Sequence, residues 1–289
     1  MVTEKMNSAD FNMFKAFDLS GEFDVVFDIG ANIGMFSFYV LKNTKVSQVH
    51  LFEPNSDYSA VLRDRAQLLK LESLLKFRRE GKRIYINDLA LYSENKVMEL
   101  FVNAVKPGTH SLIKEMVWEE GGDLDRIDRV ETTTLDSYIS SLECSLNNKQ
   151  IFLKIDVEGV EDHVLNGATQ LIKMFSPTVF VEVRGSGNSP TFLAIDRLML
   201  DSGYQRYVDS RIKIANKKDR EQLTQVDYMP FTHADVLYSK ESLDISGAQC
   251  GYRILNRWEK LLRVIRRLIK LRLSDLHHLA LRKPFDVFY

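Results

Sequence analysis

The chain has 289 residues, 45% hydrophobic and 27% charged, with a formal net charge of -1. This is an ordinary globular composition, long enough to bury a sizeable core, and the near-zero charge gives no ground for expecting nucleic acid as a partner. No eighteen apolar residues run together, which argues against a transmembrane helix, and the first residues, MVTEKMNSADFNMFKAF, lack the basic-then-apolar pattern of a secretory signal. Cys144 and Cys250 lie far apart and in no metal-ligand spacing. A reducing cytoplasm is therefore the expected setting, without a disulfide framework.

Short apolar runs alternate with helical patterns, the mark of a parallel sheet covered by helices. The first strand is expected over 24–29, a helix through 35–41, and a second strand over 48–52 that ends at Glu53-Pro54. A helix from Ser56 to Lys70 leads to a third strand over 83–86, and a further strand covers 97–102. Residues 106–128 are polar and weakly periodic, and are expected to form an active-site loop rather than a domain boundary.

Residues 130–134 read as a short strand, 135–141 as a helix, and 151–155 as a buried strand. Behind that strand Val160, Val164, Leu165, Ala168, Leu171 and Ile172 give one helical apolar face. A strand over 179–183 and a helix over 190–201 follow, the helix stopped by Gly203. The final strands, 204–208 and 235–238, are expected to pair antiparallel.

Residues 253–283 differ in composition, with ten Lys/Arg against two acids and hence a local charge of about +8. Leu255, Trp258, Leu262, Ile265, Ile269 and Leu273 recur at helical spacing, so a basic amphipathic helix is expected. It suits packing on protein, including a second copy of the chain, and it also suits the surface of an anionic membrane.

The chemistry begins at VVFDIGANIGMFSFYV, residues 25–40, which reads as strand, tight turn and helix. Asn32 stands where a dinucleotide fingerprint needs its second glycine, and Asp28 ends the strand. A carboxylate there would repel a diphosphate but would suit S-adenosylmethionine, which carries an ammonium and a sulfonium and no phosphate. Glu53, at the end of the second strand, is placed to accept hydrogen bonds from ribose hydroxyls. The second constellation is Lys154, Asp156 and Glu158, which would project from one side if the strand over 151–155 continued. Open α/β sheets bind ligands at that end.

DIGANIG, FEPN at 52–55, VETTTLDSYI at 130–139, FLKIDVEGVEDHVLNGA at 152–168 and PTVFVEV at 177–183 together resemble the FkbM-type methyltransferases, over about residues 22–185. The resemblance implies an α/β class I methyltransferase fold, Rossmann-like, with a seven-stranded, mostly parallel sheet and helices on both faces. It implies S-adenosylmethionine as cofactor and O-methylation of sugars or other hydroxylated compounds. By position, Asp28, Gly30, Asn32, Gly34 and Glu53 would line the cofactor site, Asn87 or Asp88 would lie near the adenine, and Asp156 and Glu158 would face the reaction centre. The domain would span 22–245, between a lead-in over 1–21 and a basic extension over 246–289.

For a hydroxyl acceptor Asp156 is the first choice of base, Glu158 the second, and Lys154 would tune both by its charge. His110, in the loop beside Ser111, is the alternative base. His163 reads as a helix-surface residue, and the adjacent His277 and His278 cannot chelate from one helix face. Asp156 and Glu158 offer a divalent ion no third ligand, so no metal is expected. Two other functions compete: a nicotinamide-dependent oxidoreductase, disfavoured by Asn32, and a scaffold that keeps the fold without turnover.

Overall fold

The computed structural model describes residues 22–75, 81–105, 108–119, 123–142, 146–184, 189–208 and 233–241. The expected lead-in over 1–21 and basic helix over 246–289 lie outside them, as do both cysteines and the pair His277 and His278.

The strands β1 (Val25–Ile29), β2 (Gln48–Phe52), β3 (Arg83–Asn87), β7 (Ile151–Ile155), β8 (Thr178–Arg184), β9 (Gln205–Val208) and β10 (His233–Ser239) form one seven-stranded sheet. Its order is β3-β2-β1-β7-β8-β10-β9, parallel throughout except that β10 runs antiparallel to both its neighbours. The expected antiparallel pair at the end of the domain is β9 with β10.

β1, β2 and β7 are buried along their whole length, as strands covered on both faces must be. Side-chain alternation divides the core. Val25, Phe27, Ile29, Leu153 and Ile155 pack on one face, and Val26, Val49, Leu51 and Phe152 on the other. Helix α1 (Met35–Asn43) covers the second face with Phe36, Val40 and Leu41. The first face is covered by α5 (Glu161–Asn166), α6 (Thr169–Phe175) and α7 (Pro190–Asp201). Ser189 caps α7 by accepting the Phe192 N–H at 3.2 Å, with Pro190 at the first turn. Gly203, at φ 84°, ends it in the left-handed conformation expected of a stop.

Among the polar side chains buried in this sheet is His50 of β2. His50 lies between the Phe27 and Tyr85 rings at centroid distances of 4.8 and 4.4 Å, where the β1–β2–β3 register places all three side by side. Burial, aided by Arg83, pushes its pKa down to about 4, so it is neutral, with Nδ1 2.9 Å from the Tyr138 hydroxyl.

Three expectations need correction. The passage over 106–128 is not simply a loop: it holds α3 (Lys114–Glu119) and the start of the ten-residue β6 (Leu124–Thr133). β6 pairs antiparallel with β5 (Lys96–Asn103) and parallel with β4 (Ala90–Leu91) in a second, three-stranded sheet. Its first half alternates half-buried and exposed positions with charges among them, so no apolar period marks it.

The helical face over 160–172 is two helices. They break at Gly167, where a Cβ would lie 2.3 Å from the Tyr92 carbonyl oxygen. Finally, the strand over 151–155 does not continue to residue 158, because Glu158 has φ 61° and the chain turns there. Smaller differences lie at the ends: α2 (Ser56–Leu75) runs five residues beyond Lys70, and α4 (Leu135–Ser140) stops at 140.

Candidate functional site

A cleft opens at the carboxyl ends of β1, β2 and β7, where open α/β sheets bind their ligands. One side is polar, with Gly30, Asn32, Glu53, Asp156 and Glu158 in its wall. The other is apolar, with Leu89, Leu91 from β4, Leu100 from β5, and Leu112 and Val160. Tyr58 and His110 complete it.

The loop after β1 spends its own amides. Gly30 and Ala31 N–H both donate to the Phe52 carbonyl, at 3.1 and 3.0 Å. Asn32 N–H donates to Glu53 Oε2 at 2.7 Å, Ile33 N–H to Asn32 Oδ1 at 2.7 Å, and Gly34 N–H to the Ala31 carbonyl at 2.8 Å. Asn32 reaches this geometry at φ 51°. Gly30, at φ 72°, passes so close to β7 that a Cβ would sit 1.8 Å from the Asp156 carbonyl oxygen. Gly34, at φ 77°, starts α1 against Leu62 and Phe38 and does not line the cleft.

Glu53 is held from both sides. Oε2 takes the Asn32 amide, and Oε1 takes the Asn55 amide at 2.9 Å. Asn55 in turn caps α2, accepting Asp57 N–H at 3.0 Å on Oδ1. Burial pushes the Glu53 carboxyl up to about 7 against the pull of these two amides and of Lys154, with Asp28 adding to the rise.

Lys154 and Asp28 lie opposite each other in the β1–β7 register, on the face away from Phe27. The Lys154 ammonium is 3.1 Å from Asp28 Oδ1 and 3.3 Å from Asp156 Oδ2, and it donates to the Gly30 carbonyl at 2.8 Å. Burial alone would push Lys154 down, but the two carboxylates hold it well above its ordinary value. Ser37 Oγ donates to Asp28 Oδ2 at 2.6 Å. Asp28 is fully buried and sits beneath the cleft rather than in its wall, because Lys154 and Ser37 take its carboxylate. Asp156 belongs to both the ion network and the wall.

The remaining expected residues divide. Asn87 donates from Nδ2 to the Leu51 carbonyl at 3.0 Å, and Asp88 pairs with Arg63 near the surface. Neither lines the cleft, whereas Leu89 to Leu91, next in the chain, do. His110 lines it, stacked on Tyr58 at 5.0 Å, with Nδ1 3.0 Å from the Asn103 N–H. That bond makes Nδ1 an acceptor and puts the ring proton on Nε2. Burial, helped by Arg126, lowers the His110 pKa. His163 stacks on Tyr92 at 4.2 Å, away from the cleft.

Sequence reading missed Tyr58, Leu100, Gly108, Leu112 and the leucines at 89 and 91. Only Tyr58 carried a signal, by standing in the first turn of the helix after Glu53. Burial pushes its hydroxyl up to about 12, with Glu53 adding to the rise. Among the described residues no three His, Cys, Asp or Glu groups gather as a metal site, and no helix is long and apolar enough to cross a membrane.

The profile of the methyltransferase FkbM domain matches residues 28–206. An FkbM methyltransferase from Methylobacillus flagellatus superposes with a TM-score of 0.43 at 16% identity, over 75% of this chain and 43% of that one. The chain thus spans less than half of that structure. A precorrin-6y C5,15-methyltransferase from Geobacter metallireducens gives a TM-score of 0.41 at 10% identity, over 84% of this chain and 93% of that one. No curated sequence matches the chain at a significant level. The family match covers well over half the sequence, from β1 to β9: the chain belongs to the FkbM methyltransferase family.

Proposed function

We propose that this chain is an S-adenosylmethionine-dependent O-methyltransferase acting on a hydroxyl of a glycan, a lipid-linked sugar or another small hydroxylated metabolite. The observation that carries the choice of cofactor is the spent loop. All five amides from Gly30 to Gly34 have partners within the protein, so the loop has none to offer a diphosphate. That argues against a nicotinamide dinucleotide and suits a cofactor without phosphate.

Glu53 fits the ribose of such a cofactor: each carboxylate oxygen has accepted one amide and keeps a lone pair, and the residue lies in the wall. The apolar side at Leu89 and Leu91 suits the adenine. The chemistry that bound S-adenosylmethionine supplies is a methyl group already activated on a sulfonium. What remains for the protein is to align the acceptor, which is worth up to roughly 7–11 kcal/mol, and to take its proton. Asp156 is placed for both, since it lines the cleft while Lys154 holds its carboxylate from behind. Glu158 is the second carboxylate in reach, and His110 donates from Nε2 to orient a ligand oxygen.

Calorimetric titration of the full chain with S-adenosylhomocysteine and with NAD tests the cofactor. Binding of the homocysteine compound and not of NAD is expected, and the reverse overturns the reading. The acceptor class is tested by transfer of a labelled methyl group to a panel of glycans and glycolipids. Asp156→Ala should then lower turnover by about 10²–10⁴-fold while S-adenosylhomocysteine still binds.

A further inference from the structure

The segment from Asp156 to Val160 turns from β7 into α5, and Asp156, Val157, Glu158 and Val160 all line the cleft. Two successive residues in it are left-handed, Glu158 at φ 61° and Gly159 at φ 111°. That conformation is unfavourable for glutamate and persists only where its surroundings enforce it.

Three bonds enforce it here. Asp156 N–H donates to the Ile29 carbonyl at 3.1 Å, and Ser111 Oγ donates to the Glu158 carbonyl at 2.7 Å. Gly159 N–H donates to Glu161 Oε1 at 2.8 Å. The third bond uses an unusual partner. Glu161 is 0% exposed, does not line the cleft, and packs on the helix face that also buries Val164 and Leu165. Its Oε2 has no hydrogen-bond partner among the described residues. A half-satisfied buried carboxyl costs stability, so a side chain serving the fold alone would be apolar at this position.

We propose that Glu161 is a positioning residue: its carboxyl holds the Gly159 amide and so locks the turn that presents Asp156 and Glu158 to the bound ligand. The identity of that ligand rests on the methyltransferase reading above; the locking of the turn does not. Burial pushes the Glu161 carboxyl up to about 7 even though the Gly159 amide pulls the other way, and Asp156 adds to the rise.

Two variants of similar volume separate positioning from folding. Glu161→Met removes the acceptor and also the unpaired oxygen, while Glu161→Gln keeps an oxygen for Gly159. In the full chain the Met variant should bind S-adenosylhomocysteine about tenfold more weakly without a lower melting temperature, and the Gln variant should bind within about threefold of wild type. Hydrogen exchange at the Gly159 amide should follow suit, with protection retained in the Gln variant and reduced at least about tenfold in the Met variant. Wild-type affinity or wild-type Gly159 protection in the Met variant overturns the proposal. If the Met variant does not fold, loss of Gly159 protection in the Gln variant does so. A wild-type chain that fails to bind S-adenosylhomocysteine removes the methyltransferase reading instead, and Gly159 exchange still decides the turn.

Discussion

Gly30 and Glu53 show how single residues in this cleft answer to their neighbours rather than to solvent. A Cβ on Gly30 would lie 1.8 Å from a backbone oxygen of the segment that carries Asp156, and the residue is at φ 72°. Gly30→Ala should therefore cost at least about 2 kcal/mol in urea unfolding and displace Asp156. Stability within a few tenths of wild type would show that the loop can shift freely. Glu53 supplies a pH prediction. Its carboxyl rises from the ordinary 4.5 to about 7 on burial, so the folded chain binds this proton more tightly than the unfolded chain. The stability it contributes is complete below pH 4.5 and drains away as the pH rises to about 7. His50 and His110 are shifted downward and act in the opposite sense, so the comparison is best made against Glu53→Gln. Wild type should lose stability relative to that variant between pH 4.5 and 7 and run parallel to it above; a constant difference would contradict the shift. Beneath the cleft rather than in its wall, the aspartate at 28 was legible only as an acid near the end of the first strand. Its pairing with Lys154 was not, because the partner lies 126 positions away in the chain and only the strand register brings it opposite.

Among the elements, those with a continuous apolar run or a regular apolar face were legible, and breaks set by polar contacts between distant residues were not. α7 announces itself through Ser189, Pro190 and Gly203, and β1, β2 and β7 through short apolar runs. The break between α5 and α6 depends on Asp136 and Gly167, far apart in the sequence. Asp136 accepts Gln170 N–H and Leu171 N–H at 2.9 Å each and so serves as a remote N-cap for α6. Asp136→Ala should cost about 1–2 kcal/mol, read as a lower urea midpoint. No loss would mean that water replaces the cap. β5 was legible over 97–102 and β6 over 130–134, but the first half of β6 escaped the periodicity test because a small sheet with exposed flanks keeps charges along its strands, Arg126 and Asp128 among them. They nonetheless supply Leu100 to the wall and lead into the loop of His110 and Ser111.

At the scale of the whole molecule, β1 and β7 are joined at the floor of the site by a buried cation between two carboxylates. Removing one member of such a set leaves an uncompensated charge, so Lys154→Met should destabilise by about 3–5 kcal/mol. Asp28→Asn in the same chain should restore part of that loss in urea unfolding, and strict additivity would show that the pair is not coupled. The sequence alone determined the alternating α/β plan, the seven-stranded sheet through its family resemblance, and the carboxyl strand ends as the place of the site. The alternating plan and the place of the site follow from local periodicity and from turn chemistry, which act over a few residues at a time; the strand count came from the resemblance alone. The tertiary structure decided which charges face each other, which amides the loop after β1 keeps for itself, and which side chains from the second sheet close the cleft. Those depend on register and on contacts between distant segments, where a shift of one residue would turn Asp28 and Lys154 to the opposite face.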